Sequence, residues 1–356
     1  MSVDESLTLL EKWRNQSAEQ FIPLQASLEL TYRCNERCSH CYIDHFWDDP
    51  KRILKLEHWY NILHELRGAG TLYIILMGGE AMLNPHFWSI AAKASELGMH
   101  VSMITNALKI TDIEVAKKLK DAGIKVITVS LYSMDAAIHD TMTKVRGSHT
   151  HLLKAIDWCQ QAGLQVGANC LLTTHNIAGF YDVADWCIAR GIEIKEDVTV
   201  TAKFSGDTSP TQLRATSEQI EAYFRERVRR WPKGLPTPSG FAADDYTCNL
   251  AKGKCAVTPY GELLGCIEIR QPLGNLAFEP FEKLWYSQTA EQWRQVKNKD
   301  LKFSDPSDHD CESFCDHCPG MALHENKDAF TITKDTVRIA TIKKRIYEEF
   351  RQLPLD

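Results

Sequence analysis

Residues 34–42 read Cys34-Asn35-Glu36-Arg37-Cys38-Ser39-His40-Cys41-Tyr42, with three and then two residues between the cysteines, so that one loop can bring all three thiols to a single metal centre. Three thiolates leave a coordination position free. An iron-sulfur cube with three protein thiolates keeps one iron open to a small molecule, whereas a closed structural site recruits four ligands. On spacing alone the alternative is a structural zinc loop completed by His40 or by a distant cysteine. The preceding stretch, Ser27-Leu28-Glu29-Leu30-Thr31-Tyr32-Arg33, alternates apolar and polar residues in the manner of a short strand. The loop then lies at a strand's C-terminal end, where barrel enzymes carry their sites.

With Cys34, Cys38 and Cys41 followed by the aromatic Tyr42, the chain resembles the radical S-adenosylmethionine (radical SAM) superfamily, whose signature is C-x3-C-x2-C with an aromatic residue beside the last cysteine. The resemblance implies that the three cysteines hold a 4Fe-4S cluster. It also implies that the amino and carboxylate groups of S-adenosylmethionine chelate the open iron, and that reductive cleavage then yields a 5'-deoxyadenosyl radical. An electron donor such as flavodoxin or ferredoxin is the corresponding expected partner.

Outward from the loop, residues 57–200 carry a weak internal repeat of amphipathic helix, glycine and apolar strand. Five copies can be read: Glu57 to Gly70 then Leu72–Met77, Phe87 to Gly98 then His100–Ile104, Ile113 to Gly123 then Lys125–Ser130, His151 to Gly163 then Gln165–Leu171, and Tyr181 to Gly191 then Glu193–Val200. Asp157-Trp158-Cys159 with Gly163-Leu164 mirrors Asp185-Trp186-Cys187 with Gly191-Ile192. With the strand at residue 27 this makes a six-stranded parallel sheet. The expected fold class is α/β, a partial (βα)6 radical SAM barrel over residues 26–204, and the resemblance implies the same architecture.

Strand ends then locate the remaining site residues. Gly78-Gly79-Glu80 resembles the family's Gly-Gly-Glu-Pro, which contacts the ammonium group of S-adenosylmethionine; here Ala81 replaces the proline. Thr105-Asn106-Ala107 stands where the family has Thr-Asn-Gly. Ser130 resembles the position whose hydroxyl reaches the ribose or carboxylate, Arg146 resembles the carboxylate-binding arginine, and Asn169 is a further candidate. Read without the family, Gly-Gly-Glu is an ordinary turn, Ser130 a strand-end hydroxyl and Arg146 a surface residue.

Residues 1–25 carry Val3, Leu7, Leu10 and Trp13 at helical spacing, which predicts a helix on the outside or bottom of the barrel. No leader-binding domain is legible there, so a peptide substrate is expected to use a separate leader-binding protein or to dock directly on the chain. No run reaches membrane-span length and Met1-Ser2-Val3-Asp4-Glu5 lacks signal-peptide order, so the expected location is the cytoplasm. A net charge of −6 points to neither nucleic acid nor membrane as partner, and the basic cluster Arg225 to Lys233 reads as a solvated helix end.

Twelve cysteines in a reducing compartment fit metal ligation better than disulfides, and nine fall in two groups. Cys159, Cys170 and Cys187 lie among apolar neighbours and read as core. Residues 205–240 form a bridge with a charged helix from about Ser217 to Arg230. The second group follows in residues 241–325, and a helical segment, 326–356, ends the chain. Cys248, Gly261 and Cys266, with Gly274-Asn275-Leu276 and Leu284-Trp285, resemble the SPASM domain, an auxiliary iron-sulfur module of radical SAM enzymes that mature peptides. By order in that family, Cys248, Cys255, Cys266 and Cys318 make one four-thiolate auxiliary 4Fe-4S site. Cys311 and Cys315 are then left as extra ligands of an incomplete second site or as hydrogen donors in catalysis.

The resemblances together imply a radical enzyme that abstracts hydrogen from a carbon of a ribosomally made peptide during its maturation, by cross-linking or epimerisation. Two alternatives stay open: a radical enzyme acting on a small molecule such as a tetrapyrrole side chain, and a non-catalytic iron-sulfur or zinc-binding protein.

Overall fold

A computed structural model describes residues 9–239 and 241–351. Helix α1 (Leu9–Glu19) leads into strand β1 (Gln25–Glu29); Val3 and Leu7 of the expected N-terminal helix lie outside the described residues. Then follow α2 (Leu56–Gly68), β2 (Tyr73–Met77), α3 (Phe87–Glu96), β3 (His100–Thr105), α4 (Ile113–Asp121), β4 (Ile124–Ser130), α5 (Ala136–Thr143), α6 (Ser148–Gln161), β5 (Gln165–Leu171), α7 (Phe180–Ala189) and β6 (Glu193–Asp197). The six strands pair in chain order and all run parallel. The repeat glycines Gly70, Gly98, Gly123, Gly163 and Gly191 all take left-handed φ, between +66° and +97°, ending each helix and turning the chain toward the next strand. Helix α5 falls between two repeats and has no counterpart in the periodic pattern.

Strand alternation sorts the side chains. Ala26, Leu28, Ile74, Leu76, Val101, Met103, Ile127, Val129, Val166 and Ala168 join the buried core with Trp59, Ile62, Leu63, Leu66, Phe87 and Ile90 of the helices. Residues of opposite parity, including Ser27, Glu29, Ser102, Thr128, Ser130 and Asn169, face the other side of the sheet. A polar inner face and an apolar outer face are what an enzyme site within a curved parallel sheet requires.

The sheet does not end at β1. Strand β7 (Lys254–Val257) pairs parallel to it on the edge away from β2, in register from Gln25 with Lys254 to Leu28 with Val257. β8 (Glu262–Leu264) and β9 (Gly274–Asn275) add antiparallel, so one nine-stranded open sheet runs from β6 to β9 through both cysteine-bearing halves. A four-residue strand that joins a partner more than 200 positions away has no local signature.

The chain continues through α8 (Ser217–Arg230), which precedes β7, then α9 (Phe281–Trp285), α10 (Gln288–Arg294), α11 (Pro319–Asn326) and α12 (Lys334–Phe350). Thr216 and Gln219 cap α8 reciprocally, and Ile220, Tyr223 and Phe224 pack on Ile339, Ile342 and Ile346 of α12. The basic cluster at the end of α8 is not a free solvated end: Arg225 pairs with Glu349, Arg227 with Glu196 and Arg230 with Asp185. These partly exposed pairs add little stability next to the apolar contact.

A second link between the halves is buried. Arg270 clasps Glu29 at the end of β1 through two 2.9 Å hydrogen bonds, and its guanidinium also donates to the Tyr32 hydroxyl. Glu29 is 1 % exposed. Removing one member of such a pair strands the other charge in the interior, so Arg270→Ala is expected to destabilise the chain by about 3–5 kcal/mol. The check is a lowered thermal midpoint at matched metal content, with the double change Glu29→Gln and Arg270→Met recovering most of the loss.

Candidate active site

Beyond Glu29 the chain stays extended but changes partner. Asp48 accepts from the Tyr32 amide at 2.7 Å and from the Thr31 hydroxyl. The Gly79 and Glu80 amides donate to Thr31 O and Arg33 O, each at 2.7 Å. A Cβ at Gly78 would lie 2.3 Å from Thr31 O, and one at Gly79 2.3 Å from Arg33 O. The two glycines therefore let the end of β2 lie directly against the backbone that leads into Cys34, an approach the sequence had assigned to the cofactor alone.

The loop is stitched on its other side to α5: the Arg37 amide donates to Thr143 O at 3.1 Å and the Ser39 amide to Met142 O at 3.0 Å. Downstream, the Phe204 amide donates to Tyr42 O at 3.0 Å and the Tyr42 and Phe204 rings pack with centroids 4.8 Å apart. The Glu36 amide donates to Cys34 Sγ at 3.4 Å, and Cys38 Sγ donates to Glu36 Oε2 at 3.2 Å. Burial, with a smaller contribution from Cys41, pushes the Cys34 thiol up to about 12, and burial, Glu36 and the other two thiols push Cys38 up as well. Thiols so placed stay protonated until a metal centre replaces their protons.

Among the described residues no three His, Cys, Asp or Glu side chains are spaced to hold a single ion. His40 Nε2 lies 3.0 Å from the Tyr132 hydroxyl, and its Nδ1 is buried without a hydrogen-bond partner. Three thiols supplied by one loop, with a coordination position left free, fit a cluster with one open iron.

Glu80 is fully buried. Its Oε2 accepts from Thr105 Oγ at 2.8 Å and from the Asn106 amide at 3.1 Å, and its Oε1 from the Met82 amide at 3.2 Å. Asn106 Nδ2 in turn donates to Asn35 Oδ1 at 2.8 Å and lies 3.7 Å from Cys34 Sγ. Glu80 thus joins the ends of β2 and β3 and aims Asn106 at the cysteine loop. Ala107, where the family has glycine, sits at φ +62°. Ser130 and Asn169 are register partners on β4 and β5. Arg146 is exposed on the turn between α5 and α6 and is linked to the loop only through the Met142–Thr143 contacts.

In the C-terminal half, Cys248 and Cys266 stand close enough to act on each other electrostatically, as do Cys266 and Cys318. These three thiols fit a second cluster. Cys255 is not brought to them: it lies in β7 opposite Ala26, 3 % exposed, within the main apolar core. Cys311 and Cys315 neighbour each other in a satellite core with Phe314, Ile332 and Ala340, away from the barrel loops. Sequence reasoning missed Glu36, Asp48, Glu29 with Arg270, and the His40–Tyr132 contact, since lone polar residues carry no spacing signal.

Two outcomes follow. Glu80→Ala leaves the Thr105 hydroxyl and Asn106 amide without their buried acceptor; it is expected to cost about 1–3 kcal/mol and to weaken S-adenosylmethionine binding, while iron content stays unchanged. Calorimetric titration with an iron assay reads both, and iron loss would contradict it. Ala107→Gly relieves a left-handed alanine and is expected to stabilise by about 0.5–1 kcal/mol in thermal unfolding.

A Radical SAM superfamily model matches residues 28–191, and the SPASM model, an iron-sulfur cluster-binding domain, matches residues 248–319. An AdoMet-dependent heme synthase of Nitratidesulfovibrio vulgaris is 23% identical over 328 residues, covering 84% of this chain and 88% of its own. A PqqA peptide cyclase of Bradyrhizobium diazoefficiens is 25% identical over 305 residues, covering 81% and 79%. Among solved structures, native anSMEcpe with bound AdoMet superposes with a TM-score of 0.70 at 13% identity over 92% of this chain and 96% of that one. Streptococcus suis SuiB bound to precursor peptide SuiA gives 0.64 at 17% over 95% and 84%. With the cysteine loop, the strand-end polar residues and both models in the same order, this chain belongs to the radical SAM superfamily as an enzyme whose cofactors are 4Fe-4S clusters and S-adenosylmethionine, with a SPASM domain in its C-terminal half.

Proposed function

We propose that this enzyme modifies a peptide, removing a hydrogen atom from an unactivated carbon of a ribosomally made precursor. The observation that carries the reading is the similarity to a PqqA peptide cyclase over 81% of this chain; an open cleft of about 600 Å³ beside β6, an edge strand, is lined among others by Glu196, Thr199, Arg227, Pro236, Cys318 and Lys343 and not by the cysteine loop, Glu80, Ser130 or Asn169. A groove beside an edge strand, reaching the Cys318 turn, suits an extended chain. The fold shared with peptide-bound SuiB supports the same reading.

When bound, the cluster and S-adenosylmethionine supply the one-electron chemistry. The chain's own residues orient and shield it. Cys34, Cys38 and Cys41 would hold the iron, Asn106 and the Gly78–Glu80 segment brace the loop, and Ser130 and Asn169 offer hydroxyl and amide partners to a ribose or carboxylate. Tyr42 and Phe204 cover the loop's exit.

A second reading, oxidation of a tetrapyrrole side chain, is favoured by the similarity to a heme synthase over 84% of the chain. Co-expression with a short reading frame beside the gene separates the two. A mass change in that peptide, with 5'-deoxyadenosine as co-product, is expected; turnover of a tetrapyrrole acid with no change in any peptide sinks the peptide reading. Changing Cys34, Cys38 and Cys41 together to alanine is expected to remove about four iron per chain and abolish 5'-deoxyadenosine formation, and retained formation would end the radical assignment.

A further inference from the structure

The C-terminal cluster lacks a fourth thiolate. Cys255 faces the apolar core from β7, and Cys311 and Cys315 pack in their satellite core, which leaves Cys248, Cys266 and Cys318. Two residues beyond Cys266 stands Glu268, whose Oε2 is buried and has no hydrogen-bond partner. Arg270 and Lys254 act on it electrostatically, but neither makes a hydrogen bond to Oε2, and Arg270 is clasped by Glu29. A buried carboxyl oxygen without a hydrogen-bond partner is costly, and ligation to a metal centre removes that cost.

The backbone holds Glu268 against the Cys318 turn. A Cβ at Gly320, two residues after Cys318, would lie 2.4 Å from Glu268 O and 2.5 Å from Glu268 Cβ, so only glycine lets the two segments meet. His324 of α11 fixes the same carbonyl through Nε2 at 2.9 Å. Glu268 also acts electrostatically on both Cys266 and Cys318. The Glu268 side chain, with its unpartnered Oε2, therefore shares its neighbourhood with two of the three thiols.

We propose that the auxiliary cluster of this chain is held by Cys248, Cys266 and Cys318 with the Glu268 carboxylate as fourth ligand, and that Cys255 is a structural core residue. The carboxyl gives up its proton on ligation, as each thiol does. An oxygen ligand donates less electron density to iron than a thiolate, which raises the cluster's reduction potential and makes that one iron the most easily displaced. The assignment does not depend on whether the substrate is a peptide.

The test isolates this cluster in the full chain carrying Cys34→Ala, Cys38→Ala and Cys41→Ala, reconstituted anaerobically. Cys255→Val added to that background is expected to keep about four iron per chain and an unchanged electron paramagnetic resonance spectrum. Glu268→Ala is expected to lose at least one iron, and Glu268→Cys to retain the cluster at a lower reduction potential. Loss of the cluster in Cys255→Val, or iron content, spectrum and potential untouched by Glu268→Ala, overturns the proposal. Should Glu268→Ala not fold, Glu268→Cys decides alone: a lowered potential supports the carboxylate ligand and an unchanged one refutes it.

Discussion

Everything in this molecule is built outward from β1, a five-residue strand held on both edges by parallel neighbours. Its apolar residues anchor it to the helical layer, and its last residue, Glu29, is gripped by Arg270 from the other half. The chain leaves this strand with no freedom of direction. Gly78, Gly79 and Glu80 take over the backbone pairing that β2 began, and the cysteine loop starts from a fixed point. A loop of nine residues can bind a metal centre without a regular structure of its own because its ends are held this firmly.

The three thiols, the glutamate at the end of β2 and the asparagine at the end of β3 form one connected unit. Glu80 does not merely wait for a ligand; its carboxylate closes Thr105 and Asn106 onto the cysteine loop. Binding determinants on adjacent strand ends are thereby coupled through a single buried carboxylate, so a ligand contacting any of them meets a site already organised.

Much of this was legible before the structure. The cysteine spacing marked the loop, and the helix-glycine-strand repeat placed five of the six barrel strands to within a residue or two, apart from the far end of β6, because parallel strands and left-handed helix ends both leave periodic traces. What stayed hidden depends on contacts between distant segments. The pairing of β7 with β1, the Glu29–Arg270 clasp, and the separation of Cys255 from the other auxiliary cysteines follow from three-dimensional register. Cysteine order groups Cys255 with Cys248, Cys266 and Cys318, whereas its place in β7 and its apolar neighbours are set by strand alternation.

The shared sheet bears on how the two halves can be separated. Ending the chain before residue 248 would strip β7 from β1 and leave the middle of a hydrophobic parallel sheet as an open edge, with the carbonyl and amide groups of Gln25 to Leu28 that face β7 unpaired. Such an edge recruits other strands, including those of sister molecules. The auxiliary domain is therefore also a cover that keeps the catalytic half from self-association, and neither half is a detachable part to be exchanged without supplying a replacement strand.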